Sequence, residues 1–293
     1  MKPVKVEEQR VASFDGTDLA YHVVGRARPS SWRTASAGAG RPGPTRSPTS
    51  RTGTASSRGT TAALYRSGPP PARDDLRVED HARDALRVMD DAGIEQTAIF
   101  GWSMGVQVAL EVFRRAPDRV KLLVLINGVA GRPWESAFNV PQLGAMIPTI
   151  LGAVRMIPGV AQSVTERVVQ WPETVTWAKR VGLAGQTLDE DIFAQLAGSF
   201  AQLDMDLYVH TLELLGEHDA RDCLDELDVP VLVISGDRDL FTPRRAAEDM
   251  VHRVRGAELL VVPGGTHYVA VEYPELVNLR VEKFFRERGY VRE

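Results

Sequence analysis

Cysteine is nearly absent from this 293-residue chain. Cys223 is the only one, so no intrachain disulfide can form; a reducing compartment is compatible with that but not demanded. The sequence around it, Arg221-Asp222-Cys223-Leu224-Asp225, offers no catalytic context, and a small packed side chain is expected there. No apolar run is long enough to cross a bilayer. Met1 to Glu8 contain no apolar h-region, so no secretory signal is expected and a cytoplasmic location is. Charge of one sign is not concentrated anywhere. The net charge is −4 with acidic and basic residues interleaved, which leaves no electrostatic footprint for nucleic acid. No His/Asp/Glu set has metal-ligand spacing, so no metal is expected. Large aliphatic and acidic residues are both missing from Ala27 to Ala63, where only Ala, Arg, Pro, Ser, Thr, Gly and Trp32 occur. At face value that stretch is a disordered low-complexity insert.

What is present elsewhere has the length and the 43% apolar content of one large globular domain, or of one domain with an insertion. Val11 to Phe14, Asp15-Gly16 and Leu19 to Val24 read as a β-hairpin around a tight Asp-Gly turn. Val78, Ala82, Ala85, Leu86 and Met89 share one helical face. Thr97 to Phe100, Leu122 to Asn127, Val229 to Ser235 and Glu258 to Val262 are short apolar runs of the kind found in buried parallel strands. A helix starting near Pro274 presents Val277, Val281, Phe284 and Phe285. Strands alternating with helices predict an α/β fold with a mostly parallel sheet and helices on both faces. The strand pattern stops between about Ala130 and Leu227. The spacing predicts a core over residues 1–130, a helical cap over 131–227 at the sheet's carboxyl edge, and the rest of the core over 228–293. Leu143, Met146, Ile147, Ile150, Leu151 and Val154 form an apolar stripe expected to be the cap's own packing face.

The chemistry centres on Gly101-Trp102-Ser103-Met104-Gly105, a G-x-S-x-G sequence between a strand and the apolar helix Val106 to Phe113. Such an elbow lifts a serine hydroxyl clear of the sheet, and its flanking glycines let backbone approach backbone. A serine hydroxyl needs a base, and the base needs an orienting acid. His267 follows a strand through Pro263-Gly264-Gly265-Thr266, at the sheet edge where catalytic groups of open α/β sheets gather. His22, His81, His210, His218 and His252 lie in a hairpin strand or in helical stretches and read as structural. Two aspartates compete for the acid after the strand ending at Ser235. Asp237 is placed to serve the turn itself; Asp239, two residues further out, is favoured as the residue that reaches back to a histidine. Asn127 ends another core strand but is no acid.

The order Ser103, Asp239, His267 resembles the α/β-hydrolase superfamily, through GWSMG, VLVISGDRD and VVPGGTHY. The likeness runs from about Leu64 to Tyr290 and through the first hairpin. It implies a serine acyl-enzyme mechanism with Ser103 as nucleophile, His267 as base and Asp239 as its orienting acid. Met104 would supply one oxyanion donor through its backbone N–H, and Trp102 and Met104 would form part of an apolar substrate wall. GWSMG with a helical cap looks like the small-ester and enol-lactone hydrolase branches, so the implied partner is a small ester or lactone. A cofactor-free haloperoxidase-like perhydrolase uses the same triad. An inactive chain is the reading from a different class.

The family's second oxyanion donor comes from a loop after its third strand, and Ala27 to Ala63 hold neither that strand nor that loop. The genetic code offers an account. All residue types in the segment have codons with G or C at the second position, where the wobble base of a GC-rich gene lands after a one-base shift. Undoing the shift turns Ser30, Ser31 and Trp32 into apolar codons and allows P-V-V-L-A-N-G-L-G-G, which looks like the missing strand and loop. Ser56 to Ala63 then permit F-V-S-W-D-Y-R-G. Residues near 27–63 are therefore expected to be an out-of-frame translation between two compensating indels. As written, the chain is expected to lack one or two central strands.

Overall fold

The computed structural model describes residues 6–24, 33–37, 56–59, 62–64, 66–171 and 173–290. Eight strands form one sheet in the order β1-β2-β4-β3-β5-β6-β7-β8. β1 (Val6–Ala12) and β2 (Asp18–Val24) are an antiparallel hairpin, with Val6 opposite Val24. Its turn is held by Asp15, whose carboxylate accepts from Thr17 N at 2.8 Å. β2 pairs antiparallel with β4 (Ser56–Gly59). From β4 onward every pairing is parallel, through β3 (Arg33–Ala37), β5 (Thr97–Trp102), β6 (Val120–Ile126), β7 (Val231–Gly236) and β8 (Glu258–Val262).

The sheet is thus continuous through β3 and β4, and the expectation of missing central strands is corrected. A ladder is made by backbone N–H and C=O groups, which these residues carry like any others. β2 and β5 offer the edges between which the two strands complete it. The remainder of residues 27–63, including the expected oxyanion loop, lies outside the described residues.

Side chains of β6 alternate in the two-residue period of a strand. Leu123 and Leu125 pack with α1 (Val78–Asp91), α2 (Met104–Arg115) and, further on, Ala247 and Met250. Leu122, Val124 and Ile126 face the opposite side, where Val277, Val281, Phe284 and Phe285 cover them. Full burial of side chains this size stabilises by about 1.5–3 kcal/mol each.

Between β6 and β7 the chain is helical. α3 (Pro133–Ser136), α4 (Pro141–Arg155) and α5 (Pro158–Gln170) each begin with proline, which fits the first helical position because its missing N–H has no acceptor there. α6 (Thr174–Arg180) follows. Asp189 caps α7 (Glu190–Phe200) and Asp204 caps α8 (Met205–Glu217) by accepting first-turn N–H groups. In α4 the expected packing stripe divides. Leu143, Met146 and Ile150 are 49–55% exposed, and the buried contact is made at Gly144. Helical spacing says which residues share a face, not which face a neighbour covers. Among the described residues no single helix is long and apolar enough to cross a membrane. The chain ends with α9 (Arg244–Arg253), α10 (Val269–Glu272) and α11 (Pro274–Glu287).

Candidate active site

Three strand ends bring the predicted groups together. Ser103 sits between β5 and α2 at φ 55° and ψ −122°, a conformation that costs an L-residue energy and is held here by its surroundings. Its N–H donates to Ile126 O at 3.0 Å. Gly101 makes the turn possible: a Cβ there would lie 2.3 Å from the carbonyl oxygen of Gly105. Asp239 lies beyond β7 and His267 beyond β8. His267 Nε2 is 2.9 Å from Ser103 Oγ, and Nδ1 is 2.8 Å from Asp239 Oδ2.

The acid is fully engaged. Asp239 is 2% exposed. Its Oδ1 accepts from Phe241 N at 2.8 Å and Thr242 N at 3.0 Å, and Oδ2 accepts from Thr242 Oγ1 at 2.5 Å. A carboxylate only accepts, so the proton between Asp239 and His267 belongs to Nδ1. The lone pair of Nε2 is then free to accept the Ser103 O–H. Asp237 does something else: it accepts Gly264 N at 2.7 Å and closes the turn beside β8.

Trp102 and Met104 flank the serine. The Trp102 indole N–H donates to His267 O at 2.9 Å, and its ring lies 5.6 Å from the imidazole and 5.9 Å from Tyr268. Met104 opens α2, where first-turn N–H groups have no intrahelical acceptor and the helix dipole favours negative charge. Phe241 stands 5.2 Å from the imidazole, edge-on, and Phe138 packs on Phe241. Phe138 has φ 61° and donates its N–H to Leu240 O at 2.6 Å, which ties the helical insertion to the acid loop. Burial, then the negative charges of Glu272 and Asp239, push the Tyr268 phenol upward.

Of the remaining histidines, His218 is bonded to Gln107 at 2.5 Å and Glu111 at 3.1 Å, and His210 to Glu213 at 3.2 Å. His22 is 4.0 Å from Glu8, and His252 lies in α9. His81 is wholly buried with both ring nitrogens unpartnered, and burial pulls its pKa down to about 4. Cys223 is packed as expected, with burial raising its thiol to about 11. Among the described residues no group of three or more His, Cys, Asp or Glu could hold a metal ion.

Three polar residues around the triad were not singled out from sequence as site residues. Thr242 braces Asp239. Asn127, at φ 42°, donates from Nδ2 to Thr266 O at 2.6 Å and accepts Gly236 N at 3.0 Å, joining the acid strand to the base loop. Glu272 accepts from Thr266 N at 2.7 Å. The signal for Asn127 was its place at the end of a core strand; no local pattern marks Glu272.

Comparison with known proteins gives related results. The chain is 30% identical over 231 residues to a pimeloyl-[acyl-carrier protein] methyl ester esterase of Aromatoleum aromaticum, covering 77% of this chain and 86% of that protein. It is 28% identical over 200 residues to the esterase of the same name from Neisseria meningitidis, covering 66% of this chain but only 57% of that longer relative. Its fold is similar to that of the enol-lactonase from Burkholderia xenovorans LB400, with a TM-score of 0.74 and 20% identity over 95% of this chain and 100% of that one. A family model described as alpha/beta hydrolase fold matches residues 49–274, well over half of the chain. With the parallel sheet, the elbow and the strand-end placement of its polar groups, the chain belongs to the alpha/beta hydrolase fold family.

Proposed function

We propose that this protein is a serine hydrolase that cleaves carboxylic esters or lactones through an acyl-enzyme intermediate, without a cofactor. The observation that carries the reading is the unbroken relay from Ser103 Oγ to His267 Nε2 and from Nδ1 to Asp239. His267 takes the serine proton as Oγ attacks the carbonyl carbon and returns it to the leaving alcohol. Asp239 holds the Nδ1–H tautomer and stabilises the imidazolium. The Met104 N–H donates to the oxyanion. Trp102 and Met104 flank the serine and Phe241 meets the imidazole edge-on, apolar surroundings that favour an aliphatic or aromatic acyl group. The names of the curated relatives, methyl ester esterases, support a carboxylic ester as substrate. A fluorophosphonate probe tests the reading: labelling lost in Ser103→Ala supports it, and no labelling of the folded protein overturns it.

The composition of Ala27 to Ala63 favours a second reading, a chain that lacks a second oxyanion donor and is inactive or nearly so. One such donor is worth about 100 to 1,000-fold in turnover. The out-of-frame account of residues 27–63 reconciles the two readings. It gains support from β4, which falls at Ser56–Gly59, the four positions that the shifted frame reads as Phe-Val-Ser-Trp. Resequencing the coding DNA from about codon 20 to codon 70 decides it. Indels that vanish on re-reading restore an intact hydrolase; DNA that confirms the chain as written makes the lesion real and leaves a crippled or misfolded hydrolase, to be judged by labelling.

A further inference from the structure

We propose that Glu272 is a positioning residue that makes the placement of His267 depend on the seating of the helical insertion. The inference rests on the role of His267 proposed above. Glu272 ends α10 and is 4% exposed. Its Oε2 accepts Thr266 N at 2.7 Å; its Oε1 accepts the Thr266 hydroxyl and, at 2.6 Å, the N–H of Gly185. Thr266 immediately precedes His267, and Gly185 lies between α6 and α7, inside the insertion. One carboxylate therefore holds the base loop and the insertion together.

The packing around it joins the same two parts. Ala178, Ala184, Leu188 and Phe193 of the insertion form a buried cluster against Tyr268 and Val271, and Phe193 meets the Tyr268 ring at 5.6 Å. Among the described residues no cation pairs with Glu272, so its charge is balanced only by these donors. The choice of a carboxylate follows. Three donors point at two oxygens, and a glutamine would turn an N–H against one of them. Asn127 and Trp102 hold the carbonyls of Thr266 and His267 from the core side. Glu272 is the one member of this bracket that reaches the insertion. Lifting the loop at Gly185 releases a donor from Oε1 and frees Glu272, and with it Thr266, to shift. A displacement of about 1 Å in catalytic geometry is enough to cost about 100-fold in rate.

Gly185 offers a way to move the bracket from outside the base loop. A Cβ at position 185 would lie 2.8 Å from Glu272 Cδ, so Gly185→Ala pushes the carboxylate. The experiment compares the wild-type chain with Glu272→Gln, Gly185→Ala and the double variant. It measures kcat and KM on a short p-nitrophenyl ester, the low-field proton resonance of the His267 Nδ1–H in the resting protein, and near-ultraviolet circular dichroism to verify folding. Each single variant is expected to lose about 10- to 100-fold in kcat with KM within about two-fold, and to shift or broaden the resonance. The double variant is expected to be no worse than the poorer single one. Wild-type kcat with an unmoved resonance, a loss in KM alone, or additive losses would each overturn the proposal. If Glu272→Gln does not fold, Gly185→Ala reads the same contact. The resonance needs no turnover: a shift in Gly185→Ala alongside an unreactive Ser103 sinks the hydrolase reading and leaves the coupling standing.

Discussion

The two halves of the sheet are bonded alike and composed differently. β6 reads Val-Lys-Leu-Leu-Val-Leu-Ile and β7 reads Val-Leu-Val-Ile-Ser-Gly; β3 reads Arg-Thr-Ala-Ser-Ala and β4 Ser-Ser-Arg-Gly. All four have parallel ladders with a neighbour. The first pair is clamped between large apolar clusters on both faces. The second pair carries no large apolar residue at all. Hydrogen bonding lets a strand form, whereas side-chain burial stabilises it. The chemistry divides along the same line. Ser103, Asp239 and His267 all follow strands of the well-packed half. The loop expected from the sequence to hold a second oxyanion donor lies outside the described residues.

The largest effects should fall in the triad. Ser103→Ala and His267→Ala are each expected to lower kcat/KM on a short ester by at least about 10⁴-fold, because the relay acts as a unit. Asp239→Asn should cost about 10³- to 10⁴-fold by destabilising the imidazolium and admitting the wrong tautomer. Asp237→Asn, although only two residues away, should stay within about three-fold, because its carboxylate closes a turn. Equal losses at the two aspartates, read by steady-state kinetics, would remove the distinction between them.

Stability should expose the difference between the halves more directly. Leu123→Ala in β6 is expected to cost about 2–5 kcal/mol in urea unfolding, by lost burial and the cavity left behind. In β4 the direction should reverse: Ser57→Val gives an interior strand a branched residue of higher β-propensity and should stabilise by up to about 1 kcal/mol. A destabilised Ser57→Val would mean that β4 is not limited by its side chains.

The same contrast explains what could be read from the chain. β5 to β8 and the closing helix were legible because long apolar runs and helical spacing record burial directly. Ser103 was legible because an elbow is local, and Asp239 because it lies three residues beyond a strand end. Asn127 and Glu272 work across long separations: Asn127 meets Thr266 139 positions away, and Glu272 meets Gly185 87 away. Neither pairing leaves a local pattern. The outward face of α4 was assigned the wrong way because Leu143, Met146 and Ile150 share a helical face without any local sign of what covers it. β3 and β4 could not be seen at all in the letters as written, since ladder formation is silent in side chains.

The smallest effect is a cancellation on the sparse side. Asp84 in α1 accepts the hydroxyl of Ser13 and, at 3.3 Å, the N–H of Ala62, so it joins the first hairpin's turn to the segment after β4. Burial, opposed by those two bonds and reinforced by the charges of Asp15 and Asp80, raises its pKa to about 6. The folded state therefore binds a proton that the unfolded state releases near the ordinary value of 3.8. Stability from this group is full below that value and is lost as pH rises through about 6. His81, one turn earlier, does the opposite. Its pKa falls from 6.5 to about 4 by burial, so stability is full above 6.5 and is lost as pH falls through about 4. The two windows nearly coincide and each is worth on the order of 3 kcal/mol, so their sum is nearly flat in the wild type. Asp84→Asn should leave the His81 slope alone, with stability rising from pH 4 to 6.5. His81→Leu should leave the Asp84 slope, with stability falling over the same range. Urea midpoints measured across that range for the three proteins give the test. If both variants stay parallel to the wild type, the two buried groups do not titrate with folding, and the sparse half is held by something other than this pair.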